Sequence, residues 1–226
     1  MKALPRFRDR SKAGQLLARR LATDANRSDG IVLALPRGGV PVDAEIAHAL
    51  HIPLDVLVVR KRGVPGHEAL AMRAIAAAGV RVIYDVVRQR GIPDAAVEQV
   101  ARLEQRERER RERAYRADRP ALDLRDRIVI VVDDGLATGT TMRAALHLVR
   151  RYASARIILA IPTASPATCR AFMTEADEVI CLMTPEPFHG VGRWYDDVHQ
   201  ISAAQVRDLV ERAAQHVEAT QQEGPG

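Results

Sequence analysis

Six apolar runs recur along the chain, and each is continuous rather than alternating: IVLALP at 31–36, LDVLVV at 54–59, VRVIY at 80–84, IVIVV at 128–132, RIILAI at 156–161 and EVICLM at 178–183. A strand with one face in water alternates apolar and polar residues. Runs without that alternation suit strands covered on both faces. Between them lie helical patterns at 11–23, 42–51, 93–117, 140–152, 165–175 and 202–219. Strand and helix in alternation predict an α/β fold, a central, mostly parallel twisted sheet flanked by helices. No repeat divides the sequence, and one domain is expected over residues 1–226.

Composition narrows the classes. The 226 residues are 47% hydrophobic and 28% charged, which suits a globular chain with a real core. No apolar run approaches the roughly 20 residues of a membrane span. The opening MKALPRFRDRSKAGQLL lacks an apolar signal core, so a cytoplasmic protein is expected. The two cysteines, Cys169 and Cys181, are too few for a zinc site or a disulfide framework and are expected to be buried free thiols. The net charge of +5 comes mostly from Arg, with Lys only at Lys2, Lys12 and Lys61. An anionic small substrate accounts for it as well as nucleic acid does. The Arg- and Glu-rich run at 102–116 reads as a solvated helix face with i,i+4 pairs, or else a nucleic-acid surface or an oligomer contact.

The stretch IVIVVDDGLATGTTM at 128–142 carries the chemistry. An interior strand runs into Asp133 and Asp134, and residues 135–139 turn the chain into a helix starting at Thr140. The carboxylates therefore sit at the carboxyl end of a parallel strand, where open α/β sheets bind ligands. The helix N-terminus beyond offers unpartnered backbone N–H groups and a dipole that suit a phosphate. Gly135 and Gly139 are expected to take positive φ and allow close approach. Thr138, Thr140 and Thr141 add hydroxyls. Two acids would repel a bare phosphate, so the ligand must give them something else: vicinal sugar hydroxyls or a hydrated metal ion. Phosphate on the turn and hydroxyls on the acids describe a ribose 5-phosphate. No Gly-x-x-x-x-Gly-Lys or Gly-x-Gly-x-x-Gly is present, which removes a P-loop and a dinucleotide fingerprint.

This segment resembles the phosphoribosyl-pyrophosphate motif of type I phosphoribosyltransferases: apolar residues, two acids, a small residue, then Thr-Gly and hydroxyl residues. Among them it is similar to an uncharacterised phosphoribosyltransferase-like group. The resemblance implies that Asp133 and Asp134 bind ribose hydroxyls and that Ala137, Thr138, Gly139, Thr140 and Thr141 cradle the 5-phosphate. Gly135 departs from the family, which has an apolar residue there, and is expected to loosen the turn. LPRGGVP at 35–41 then corresponds to the pyrophosphate loop, with Arg37, Gly38 and Gly39 presenting the anion site and a non-proline cis peptide near residues 36–38. Arg60 and Lys61, ending the second strand, would contact pyrophosphate. The Gly- and Pro-rich segment at about 60–79 corresponds to a mobile catalytic loop.

Within that loop Glu68 is a candidate general acid, or a solvated side chain. The loop departs from the group's pattern, with His67-Glu68-Ala69 in place of Asn-Pro-Glu and Arg73 in place of Gly. Ala137 stands where hypoxanthine-type members carry an Asp, so the motif looks more like the adenine type. A hood and helix at about 184–220 would cover the acceptor. Its segment 184–202 holds Phe188, Trp194 and Tyr195 in a chain that is 4% aromatic, available for base stacking or for core or dimer packing.

The implied reaction displaces pyrophosphate from 5-phosphoribosyl 1-pyrophosphate by a nucleobase-like acceptor, through an oxocarbenium-like transition state. Magnesium is the implied cofactor, held by the substrate and reached through water by Asp133 or Asp134, with no direct protein ligand. A homodimer is expected, with no membrane and no nucleic-acid partner. The alternative reading is a non-catalytic regulator that senses phosphoribosyl pyrophosphate and binds nucleic acid.

Overall fold

The computed structural model describes residues 6–59, 106, 110, 112–116 and 119–222. Five strands form one sheet: β1 (Gly30–Ala34), β2 (Leu54–Val56), β3 (Ile128–Val132), β4 (Arg156–Thr163) and β5 (Glu178–Met183), in the order β2-β1-β3-β4-β5. Every pairing is parallel. The helices are α1 (Arg10–Arg20), α2 (Val40–Leu50), α3 (Thr140–Arg151), α4 (Pro166–Phe172) and α5 (Ala203–Gln222). The sixth expected strand, at 80–84, and most of the helix expected at 93–117 lie outside the described residues. Residues 112–116 are helical, with Tyr115 buried and Arg116 paired through both nitrogens of its fork to Asp55 on β2 at 2.8 Å.

Burial on both faces explains the unalternating runs. Val32, Ala34, Ile130, Val132, Ile158 and Ala160 point to one face and pack against α1, α2 and α5. Leu33, Val129, Val131, Ile157, Leu159 and Ile161 point to the other, into a cluster with Met142, Leu146 and Val149 of α3 and Phe172 of α4. The central strand β3 is buried at every position.

Local signals set the helix boundaries. Asp9 caps α1, its carboxylate accepting from the Lys12 N–H at 2.6 Å, and Ser165 caps α4 through the Thr168 N–H. α1 lies close on α2 because residue 14 is Gly; a Cβ there would meet the Val42 carbonyl oxygen at 2.5 Å.

The two cysteines do not remain separate thiols. Cys169 on α4 and Cys181 on β5 form a disulfide, their Cα atoms 6.8 Å apart. Sequence spacing hid this, because α4 and β5 are brought side by side only by the chain's return into the sheet. Among the described residues no helix is long and apolar enough to cross a membrane.

Candidate active site

The carboxyl ends of β1 and β3 are hydrogen-bonded neighbours, so the turns that follow them meet. After β1 comes Leu35–Gly39, with a cis peptide between Pro36 and Arg37 as expected. After β3 come Asp133 and Asp134. Their contact leaves no room for side chains on the glycines. A Cβ at Gly38 would lie 2.4 Å from Asp134 Oδ2, and one at Gly39 would lie 3.1 Å from both Asp133 Cα and Asp43 Oδ2. Arg37 points outward and is exposed. The two motifs, about a hundred residues apart in the chain, thus form one surface.

The turn beyond the acids is built as a helix start. Gly139 is the N-cap of α3 at φ 70°, and a Cβ there would strike the Phe172 ring at 2.5 Å. Thr138 and Thr140 share a hydrogen bond between hydroxyls at 3.1 Å, and the Thr168 hydroxyl donates to the Ala137 carbonyl at 3.1 Å. Ala137 and Thr138 are exposed, and Thr140 and Thr141 are half-buried. Gly135 differs from expectation. It does not take positive φ, and the turn is not loose there: a Cβ would meet Val191 Cγ1 at 2.6 Å. The missing side chain makes room for the C-terminal segment to cross the acidic pair.

That segment, expected over the acceptor, also makes a contact to Asp134 that the sequence did not indicate. The Tyr195 hydroxyl donates to the Asp134 carbonyl oxygen at 2.6 Å, and the Tyr195 ring is buried against Phe7. Backbone hydrogen bonds tie the segment to the N-terminus, Phe7 N–H to Trp194 O at 2.8 Å and Asp196 N–H to Phe7 O at 2.9 Å. Just beyond Phe7, Arg10 at the start of α1 places Nε 2.8 Å and Nη2 2.7 Å from Asp134 Oδ2. Nothing in FRDRSKAG marks Arg10 for this position. Trp194 is buried, its indole N–H without a partner among the described residues, and the half-buried Phe188 ring stacks at 6.5 Å from it. Arg60, Lys61 and Glu68 lie outside the described residues.

A third carboxylate stands behind the pair. Asp43, in the first turn of α2, is fully buried, and neither oxygen has a hydrogen-bond partner among the described residues. Burial, with the charge of Asp133 added, pushes its carboxyl well above the ordinary range. Asp133 is pushed up in the same way, by burial and then by Asp134; one of its oxygens accepts from the Asp134 N–H at 2.9 Å. Burial and the neighbouring Asp134 also raise the Tyr195 hydroxyl, keeping it a donor. The helical spacing of Val40, Asp43, Ile46, Ala47 and Leu50 puts Asp43 on the inward stripe, so its burial was legible in register.

A parallel sheet whose central strand ends in an acidic pair, flanked by a Gly-rich turn and a Thr-Gly helix start, has the fold of a type I phosphoribosyltransferase. Comparison with known proteins agrees, and the chain belongs to the phosphoribosyltransferase family: the family model described as "Phosphoribosyl transferase domain" matches residues 9–185. Two Mycobacterium tuberculosis proteins, from strains H37Rv and CDC 1551 and each named "Putative phosphoribosyl transferase", are 44% identical over 208 residues, 92% of this chain. The chain spans 47% of the length of these relatives. A crystal structure of TT1426 from Thermus thermophilus is similar at a TM-score of 0.73 and 33% identity, covering 92% of this chain and 98% of that one.

Proposed function

We propose that the protein is a pentosyltransferase that uses 5-phosphoribosyl 1-pyrophosphate and magnesium to move ribose 5-phosphate onto a nucleobase-like acceptor, releasing pyrophosphate. The observation that carries this reading is the contact between the Gly38 backbone and the Asp134 carboxylate. It joins an anion-binding turn to a hydroxyl-binding acid, with the Gly139 helix start alongside. A ligand spanning them needs a diphosphate, vicinal hydroxyls and a second phosphate in that order, which is the layout of the donor.

In this reading the N–H groups at the start of α3 and the hydroxyls of Thr138, Thr140 and Thr141 take the 5-phosphate. Asp133 and Asp134 hold the ribose hydroxyls and favour the positive charge that develops on the sugar as pyrophosphate departs. Arg37 and the amides of Gly38 and Gly39 receive the pyrophosphate, with Arg60 and Lys61 assisting. Glu68 is the proposed acid near the leaving or acceptor group. Phe188 and the unpartnered Trp194 N–H are the proposed acceptor contacts, one a stacking surface and the other a donor.

Magnesium suits this donor set. The carboxylates of Asp133 and Asp134 can reach an ion through its waters. When bound, the ion would offset charge on the pyrophosphate oxygens.

The test is magnesium-dependent pyrophosphate release, measured with a panel of purines, pyrimidines and related bases. Wild-type protein is expected to turn over with at least one class of base. Asp134→Asn is expected to lower the rate by about 100-fold or more, while its circular dichroism and melting curve stay close to wild type. A wild-type rate in that variant would remove Asp134 from the role assigned.

A further inference from the structure

We infer that Arg10 is a positioning residue for the sugar: it clamps one oxygen of Asp134 so that the other is presented in a fixed direction to the ribose hydroxyls. The inference rests on the donor assignment above and adds a residue from the far end of the chain.

Both contacts fall on the same atom. Nε at 2.8 Å and Nη2 at 2.7 Å each reach Asp134 Oδ2. Oδ1 takes no contact from Arg10, and the neighbouring Asp133 carboxyl also faces the Asp134 carboxylate. The Gly38 backbone presses on the same carboxylate, since a Cβ there would come within 2.4 Å of Oδ2 but 3.2 Å of Oδ1. Arg10 therefore anchors Oδ2 on the side where Gly38 lies close, and Oδ1 is the oxygen the guanidinium does not take.

The guanidinium is itself held. Its Nη1 donates to the His199 carbonyl oxygen at 2.9 Å, and its central carbon lies 5.9 Å from the centre of the Tyr195 ring. Tyr195 in turn donates to the Asp134 carbonyl, so side chain and backbone of the acid are fixed from one cluster. The side chains of Arg10 and Asp134 are only 14% and 17% exposed, which separates this pair from solvent-screened surface pairs.

The charge pattern points the same way. Asp43, Asp133 and Asp134 are grouped, and Arg10 is the cation in hydrogen-bond contact with the group among the described residues. An acceptor held rigid before the ligand arrives binds hydroxyls without the cost of ordering it.

Calorimetric titration separates these roles, using 5-phosphoribosyl 1-pyrophosphate and, in parallel, inorganic pyrophosphate, each with magnesium, on the full chain. Arg10→Gln is expected to weaken the sugar pyrophosphate by about tenfold or more, the scale of a lost charged hydrogen bond. Inorganic pyrophosphate, which has no hydroxyls, is expected to bind it as it binds wild type. Arg10→Lys, keeping the charge but not the fork, is expected to fall between. Unchanged or tighter binding of the sugar pyrophosphate in a folded variant overturns the inference, as does equal weakening of both ligands. If Arg10→Gln does not fold, the same comparison in Arg10→Lys decides. Wild-type protein that binds inorganic pyrophosphate but not the sugar pyrophosphate overturns the donor assignment itself, and this inference with it.

Discussion

A methyl group at Gly38 would overlap the Asp134 carboxylate, which could make room only by giving up its hydrogen bonds to Arg10. Gly38→Ala is accordingly expected to abolish detectable donor binding in a titration while the protein still folds. Binding within threefold of wild type would show that the two turns do not act together. Asp43 makes a different prediction, in pH. Its carboxyl is raised above 3.8 in the fold, so the folded state binds more protons than the unfolded chain above that value. Stability is then present below about pH 4 and is lost as pH rises toward the raised value, by up to about 1.4 kcal/mol per pH unit for each such group. Asp133 adds a contribution of the same sign. Asp43→Asn should melt with a shallower fall as pH rises above about 4 than wild type, the curves parting as pH rises; identical slopes would mean Asp43 is not held protonated. At this scale Asp133 and Asp134, Ala137–Thr141, and Arg37–Gly39 each lie in one continuous run, and the structure keeps those runs at the neighbouring carboxyl ends of β1 and β3; their roles are those proposed above. Arg10 and Tyr195 were not legible, because no spacing relates them to Asp134.

Among the elements, the strands match their apolar runs within a residue or two wherever the structure describes them, since burial on both sides leaves an unbroken apolar run. The two shortened strands are β1, ending at Ala34 instead of Pro36, and β2, ending at Val56 instead of Val59. The helices keep their places with shifted ends: α2 starts two residues earlier than expected, α5 runs three residues further, and α4 stops at Phe172, whose ring fills the space beside Gly139. The cysteine pair is where expectation and structure part. The disulfide closes a segment separated by 12 residues and joins α4 to β5. A loop of that size constrains the unfolded chain by about 3 kcal/mol. Replacing both residues, Cys169→Ser with Cys181→Ser, should lower the melting temperature by several degrees, and a reductant should do the same to wild type but not to the double variant. Melting that is indifferent to reductant would show that the bond is not formed in solution.

For the molecule as a whole, the donor should act as a stabilising ligand. At a hundred times its Kd, with magnesium, it should add about 2.7 kcal/mol, or roughly 5–10 °C in the melting temperature of a chain this size. Inorganic phosphate at the same concentration should give a smaller shift, and no shift with the sugar pyrophosphate would exclude it as ligand. The layered parallel architecture and the phosphoribosyltransferase motif were dictated locally. Both are written in neighbouring residues, the one as two-sided burial of each strand and the other as strand, acids and turn in a single run. The surroundings of Asp134 were settled by folding alone. Arg10 lies 124 residues before it and Tyr195 61 residues after it. Contacts over such distances are set by how the N-terminal helix and C-terminal segment close over the sheet, and they leave no period in the chain to read.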